Sequence, residues 1–173
     1  WDTFALIPLF HDPAIVLKDE LKWIPVYGWF CLKFEHILVR RERAAVALKR
    51  MVADAKSRAS EGRDVLIFPE GTRQAAGVPG DYKPGYIALY EGLDRPCVPL
   101  ALNSGLYWPR RSFLRYPGTI IVEFLEPIPP GLPRADFRRM LESRLEAAAT
   151  RLVSEASEQV RDAAVVMDQK GNN

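Results

Sequence analysis

Cysteine and histidine are the scarce residues in this 173-residue chain, with two of each. Cys31 and Cys97 each sit in an apolar stretch without a Cys-x-x-Cys or Cys/His spacing, which excludes a zinc-type ligand set. They read as reduced core thiols in a cytoplasmic protein. Charge of one sign is not in excess either: 24 Lys+Arg face 22 Asp+Glu, so no global field calls for nucleic acid, and any anion must be held by a local cluster. Long apolar runs are missing as well. The longest stretch free of Asp, Glu, Lys and Arg, Pro96–Pro109, contains Asn103, Ser104, Gly105 and an internal Pro99, so it cannot span a bilayer. No secretory signal is present. There is no initiating Met: Trp1 opens an apolar segment, Trp1–Phe10, so the chain reads as a fragment whose upstream part could include a membrane anchor.

The length and a hydrophobic content of 48% suit one packed core. Ala14–Leu17 and Ile37–Val39 are short β-prone runs. Over residues 41–61, Leu48, Met51, Val52, Ala55 and Ala59 recur at helical spacing and Gly62 supplies the stop. Val65–Phe68 is a continuous apolar strand of the kind buried on both faces, and residues 74–84 form a Gly/Pro-rich loop. Gly85–Gly92 reads as a short helix, Pro96–Leu102 as a further buried strand and Thr119–Leu125 as a strand near a sheet edge. Phe137, Leu141, Leu145, Ala148 and Leu152 then mark one face of a long helix. Helices alternate with buried strands, which predicts an α/β layered fold with a central, mostly buried sheet flanked by helices. The expected division is a core over 1–131, an amphipathic helix over 132–168 and a disordered tail over 169–173.

The chemistry-bearing feature is Phe68-Pro69-Glu70-Gly71-Thr72-Arg73, where a buried strand leaves the sheet; strand exits are where α/β folds bind ligands. Gly71 permits close backbone approach, Thr72 adds a hydroxyl donor, and Arg73 offers a planar fork for phosphate oxygens. A Pro-Glu-Gly turn beside a solvated arginine is the plainer reading of the same residues. Asp2, opening an apolar run, is equally suited to cap a helix. Arg40-Arg41-Glu42-Arg43 could be no more than a solvated helix start. Leu21–Phe30 carries Trp23, Tyr27, Trp29 and Phe30 in one apolar segment, which fits ordinary core, an acyl-chain groove or a membrane interface. Tyr107–Tyr116 interleaves aromatics with Arg110, Arg111 and Arg115, a mix suited to an anionic headgroup layer. It follows no nucleic-acid recognition motif.

The Phe68–Arg73 motif resembles that of the glycerolipid acyltransferases, among them the 1-acylglycerol-3-phosphate (lysophosphatidic acid) acyltransferases. Other blocks follow in the family's order. Gly28 through Ile37-Leu38-Val39-Arg40-Arg41 is similar to the second block, Lys83-Pro84-Gly85 to the lysine-glycine step, and Val98–Asn103 to the final strand block. Trp1-Asp2-Thr3 matches the end of the first block, His-x-x-x-x-Asp. Neither histidine present completes that pattern, since Val16 lies five residues beyond His11 and Arg41 five beyond His36. The resemblance therefore implies a catalytic histidine upstream of Trp1, with Asp2 orienting it, and little turnover by the fragment alone.

It further implies that Arg41, Glu70, Gly71, Thr72 and Arg73 hold the substrate phosphate, with weaker assignments to Arg40 and Lys83. Many members have Asp-Arg where this chain has Arg40-Arg41, which leaves open which arginine faces the phosphate. The implied reaction moves a fatty acyl group from acyl-CoA or acyl-carrier protein to the free hydroxyl of lysophosphatidic acid, giving phosphatidic acid for phospholipid biosynthesis. Histidine suits proton removal during attack on the thioester. No Ser or Cys occupies a nucleophile elbow, so direct transfer without an acyl-enzyme is expected. No metal or cofactor is implied. The expected partners are lysophosphatidic acid, the acyl donor and a membrane surface, on the cytoplasmic face of a bacterial inner membrane, and not nucleic acid. The rivals are a non-catalytic lipid-phosphate-binding domain and an acyltransferase with another acceptor, such as glycerol-3-phosphate.

Overall fold

The computed structural model describes residues 2–40, 44–71, 78, 80–109, 113 and 115–171, with backbone alone for 157–171. Two compact units emerge. One comprises Trp1–Thr72, Tyr82–Cys97 and Pro129–Arg134, the other Arg73–Asp81, Val98–Ile128 and Ala135–Asn173.

In the first unit, three parallel strands, β1 (Ala14–Lys18), β2 (Ile37–Val39) and β3 (Val65–Leu66), lie in the order β2-β1-β3. Val16 pairs with Ile37 on one side and Ile15 with Leu66 on the other. Alternation along β1 sends Ala14 and Val16 to one face and Ile15 and Leu17 to the opposite one. On the first face Ala14, Ile37, Val65 and Ile67 pack with Met51 and Ala55 of α3 (Ala44–Ser60) and Leu89 of α4 (Gly85–Leu93). On the second, Ile15 and Leu17 pack with Cys31 and Tyr27 of α2 (Tyr27–Lys33) and with Phe68. Truncating a fully buried side chain such as Ile15 to Ala costs about 2–5 kcal/mol. The two connections run in opposite directions across the sheet, β1 to β2 and then back past β1 to β3. The right-handed crossover rule therefore puts α2 and α3 on opposite faces.

The helix anticipated over 41–61 is observed from Ala44, its first three residues lying outside those described. Its end is a Schellman cap: Gly62 takes φ 83°, Arg63 N–H donates to Arg58 and Gly62 N–H to Ala59. That cap turns Arg63 inward, where its guanidinium donates to the carbonyls of Asp12, Pro13 and Phe34.

Val65–Phe68 was expected to be a strand buried on both faces, but only Val65 and Leu66 pair and all four residues are half-buried. The reason is position: β3 is the outer strand of its sheet, laddered to β1 alone among the described residues. The anticipated strand 96–102 likewise shortens to β4 (Leu100–Leu102). It pairs antiparallel with β5 (Val122–Phe124) in the second unit. There Ala101, Ile121 and Leu125 pack on Ala148 and Leu152 of α6 (Arg134–Gly171). That helix runs into the segment read as a tail. Asn103, just before the short helix α5 (Ser104–Tyr107), is buried as a strut of this unit, accepting from Ile121 N–H at 2.8 Å.

Candidate active site

The strand order reverses at β1, which creates a switch point between β1 and β3, and the crevice outside their carboxyl ends is the ligand position in open parallel sheets. Phe68–Gly71 leaves β3 there. Phe68 is anchored in the Ile15/Leu17 cluster. Gly71 takes φ 64°, a left-handed conformation that favours glycine, and its N–H returns to the Phe68 carbonyl at 3.0 Å. The Lys83 N–H donates to the Pro69 carbonyl at 2.8 Å, tying the residues before α4 to this exit. The fold thus brings Glu70, Gly71 and Lys83 together, Glu70 half-buried and Lys83 exposed. Thr72, Arg73 and Arg41 lie outside the described residues.

Asp2 opens α1 (Asp2–Ala5), and its Oδ1 is buried with no hydrogen-bond partner among the described residues. A capping aspartate would direct that oxygen to a helix N–H. Burying a carboxylate oxygen unpaired is costly, so the arrangement suits a donor supplied from elsewhere. Phe4, two residues after Asp2, stacks edge-to-face on the Tyr27 ring at 5.1 Å. Ile7, Tyr27 and Phe68 share the cluster around Ile15, so the Asp2 helix and the Glu70-Gly71 turn are secured to one hydrophobic body on the α2 face of the sheet. Burial raises the pKa values of the Tyr27 phenol and the Cys31 thiol there, keeping both protonated.

Arg40 follows β2 at the same carboxyl edge, where its Nε lies 3.6 Å from Asp19 Oδ2. Lys22 Nζ holds that same oxygen at 2.7 Å, and this bond, with Arg40 adding to it, lowers the Asp19 pKa. With Arg50, Asp54 and His36 these groups line a cleft of about 240 Å³. No spacing rule announced Asp19, Lys22 and Arg50 as neighbours of Arg40, because Asp19 and Lys22 come from the 3-10 turn after β1 and Arg50 from α3, segments that meet Arg40 only in the folded chain. Neither histidine approaches the family pattern: His11 uses its backbone N–H on Asp64, and His36 Nδ1 accepts from the Ile15 N–H at 3.3 Å. Burial pushes the Cys97 thiol up to about 11, although the residue is half-buried rather than part of the core that Cys31 occupies. Among the described residues no three His, Cys, Asp or Glu side chains are placed to hold a metal ion.

The readings left open for Leu21–Phe30 separate in the structure. Tyr27, Gly28 and Cys31 face inward, while Trp23, Ile24, Val26 and Trp29 are exposed. In the second unit Tyr107 is buried, and the Arg115 guanidinium stacks on Trp108 at 4.0 Å. Residues 110–112 and 114 lie outside those described. Among the described residues, no helix is long and apolar enough to cross a membrane.

A family model described as Acyltransferase matches residues 1–103. The chain is 38% identical over 122 residues to the 1-acyl-sn-glycerol-3-phosphate acyltransferase of Pseudomonas aeruginosa, covering 70% of this chain and 48% of that protein. It is 31% identical over 114 residues to the protein of the same name from Limnanthes alba, covering 65% and 41% respectively. Among solved structures, the 1-acyl-sn-glycerophosphate (LPA) acyltransferase, PlsC, from Thermotoga maritima matches with a TM-score of 0.68 at 20% identity, over 87% of this chain and 61% of that one. That last likeness is one of fold. The chain spans about half the length of the curated relatives it matches.

Proposed function

The chain belongs to the acyltransferase family, and on that premise we propose that its protein transfers a fatty acyl group from acyl-CoA or acyl-carrier protein to the free hydroxyl of lysophosphatidic acid, giving phosphatidic acid for phospholipid biosynthesis. The hydroxyl oxygen attacks the thioester carbonyl while an imidazole, five residues before Asp2 in the family pattern, takes its proton. The thiolate leaves and is protonated by the same imidazolium. Asp2 fixes the tautomer of that ring and stabilises its cation. Gly71, Thr72 and Arg73 cradle the phosphate of the acceptor, with Glu70 shaping the turn and Lys83 beside it. The pairing of Arg40 with Asp19 supports Arg41, rather than Arg40, as the second phosphate ligand. No metal or cofactor takes part, and the reaction runs at a membrane surface, on the cytoplasmic face of a bacterial inner membrane.

The observation that carries this reading is the buried Oδ1 of Asp2, without a hydrogen-bond partner among the described residues, in a helix secured to the cluster that also anchors Phe68. The test is an acyl-transfer assay of the full-length protein with lysophosphatidic acid or glycerol-3-phosphate, each with both donor types. Phosphatidic acid formed from lysophosphatidic acid supports the proposal. Turnover with glycerol-3-phosphate alone would reassign the acceptor, and tight binding of lysophosphatidic acid without turnover would make the protein a lipid-phosphate-binding domain.

A further inference from the structure

The helix α2 is apolar on two sides. Tyr27, Gly28 and Cys31 turn toward the sheet, as a helix of a layered fold requires. The outward side carries Val26, Trp29 and Phe30, and the preceding 3-10 turn (Asp19–Trp23) adds Trp23 and, just beyond it, Ile24. Trp23 is 78% exposed, Val26 71% and Trp29 57%. Trp29 and Phe30 touch edge-to-face at 5.2 Å, and Phe30 stacks on Phe34 at 5.6 Å, so these three rings form one strip, with Trp23, Ile24 and Val26 exposed in the segment that leads into it. Phe4, itself more than half exposed, packs on Tyr27 of the same helix.

This surface is held outward by the backbone. Val26 sits at φ 67°, ψ −54°, with the Tyr27 N–H bonded to the Pro25 carbonyl at 2.7 Å. That is a positive-φ γ-turn, a strained conformation which a β-branched residue avoids. Gly28 presses its bare Cα on the preceding turn: a Cβ there would lie 1.8 Å from the Lys22 carbonyl oxygen. Strain and close packing are therefore combined to point a valine and two indoles at solvent, and contiguous exposed apolar surface of this kind marks an interaction site.

The charges at its rim identify the partner. Lys22 Nζ, which also pairs with Asp19 at 2.7 Å, lies 5.3 Å from the Trp23 ring centroid, and Lys33 Nζ 4.7 Å from that of Trp29. Indoles with ammonium groups beside them suit the headgroup boundary of an anionic bilayer, the rings below the phosphates and the lysines level with them. Seven residues of helix rise only about 10 Å, enough to lie in that boundary and too little to cross it. We propose that the surface formed by Trp23, Ile24, Val26, Trp29 and Phe30, rimmed by Lys22 and Lys33, docks the protein in the plane of an anionic bilayer. This deepens the acyl-transfer reading by naming the face that meets the membrane. Phe4 lies two residues from Asp2, so docking brings the helix bearing Asp2 to the lipid-water boundary, where the hydroxyl of a single-tailed phospholipid is found.

The test is sedimentation of the purified chain with vesicles of phosphatidylcholine, with and without phosphatidylglycerol, and it needs no substrate. Wild-type protein sediments with the anionic vesicles and only weakly with the neutral ones. The double variant Trp23→Ser/Trp29→Ser loses at least tenfold in partitioning, and Lys22→Gln/Lys33→Gln loses the preference for anionic lipid. Val26→Gly separates this role from a structural one: relieving the γ-turn keeps or raises the thermal midpoint while partitioning falls. Phe113→Ser, a fully exposed aromatic of the other unit, leaves partitioning unchanged. Wild-type protein that ignores both vesicles overturns the proposal. So do folded variants that partition like wild type, or concentration-dependent self-association abolished by the same variants without vesicle binding. A protein that binds vesicles but transfers no acyl group leaves this proposal standing and removes the enzymatic one.

Discussion

Arg63 donates from Nη2 to the Phe34 carbonyl at 2.8 Å, joining the end of α3 to the end of α2 beneath the sheet. The same buried guanidinium reaches the carbonyls of Asp12 and Pro13 and pairs with Asp12 Oδ2 at 3.0 Å. Three segments that enter parallel strands are thereby pinned at the edge opposite the candidate site. Arg63→Ala is expected to destabilise the fold by about 3 kcal/mol, since it leaves several acceptors without a donor. Arg63→Lys recovers only part of this, because an ammonium cannot reproduce the fork. Urea unfolding of both variants checks it; a loss below about 0.5 kcal/mol for Arg63→Ala would mean the carbonyls find water instead.

His36 gives a pH dependence with a definite sign. Burial, aided by the Arg63 cation, lowers its pKa below the ordinary 6.5, while Asp12 opposes weakly. Its Nδ1 accepts a hydrogen bond, which the protonated ring could not do. The unfolded chain then binds the proton more readily than the folded one. Stability is therefore full above pH 6.5 and falls as the pH drops from there toward the folded-state pKa. The urea midpoint should decline on acidification from neutral pH before the carboxylates titrate, and His36→Gln should flatten that decline. An equal slope in both proteins would assign it to other groups.

Asp2→Asn separates a catalytic from a capping role. Asparagine preserves the shape of a side chain whose Oδ1 has no partner among the described residues, so stability should change by less than about 1 kcal/mol. If the full-length protein carries the proposed acyl transfer, its kcat should drop by about 10²–10⁴ with KM values little altered, the pattern of a misdirected imidazole. Unchanged kcat would leave Asp2 as a helix-opening residue only.

Arg73→Ala should raise the apparent KM for lysophosphatidic acid by about 10–100-fold, as loss of charge-assisted bonds to phosphate predicts, while the KM for the acyl donor stays within about twofold. Initial-rate kinetics with each substrate varied in turn decide it. Equal effects on both substrates would argue against the phosphate cradle.

Local signals located much of this architecture. The β-prone runs at 14–17 and 37–39 form β1 and β2, the apolar period over 48–59 is the buried side of α3, and Gly62 ends that helix. Each rests on short-range physics, namely side-chain alternation, helical spacing and the positive φ that favours glycine. The strand exit at Phe68 was legible for the same reason. Strand lengths were not, because pairing depends on which neighbour is present, and β3 has β1 on one side alone among the described residues.

By itself, then, the sequence determined that β1, β2 and α3 form where they do, and that a Pro-Glu-Gly turn ends the third strand. Tertiary structure alone decided the order β2-β1-β3, the meeting of Glu70 and Gly71 with Lys83, the burial of an Asp2 oxygen without a donor among the described residues, and the exposure of Trp23 and Trp29. The physical reason is that hydrophobic periodicity states which side of an element avoids water, whereas only packing states what covers it. In α2 the sheet covers one apolar side and leaves the other open.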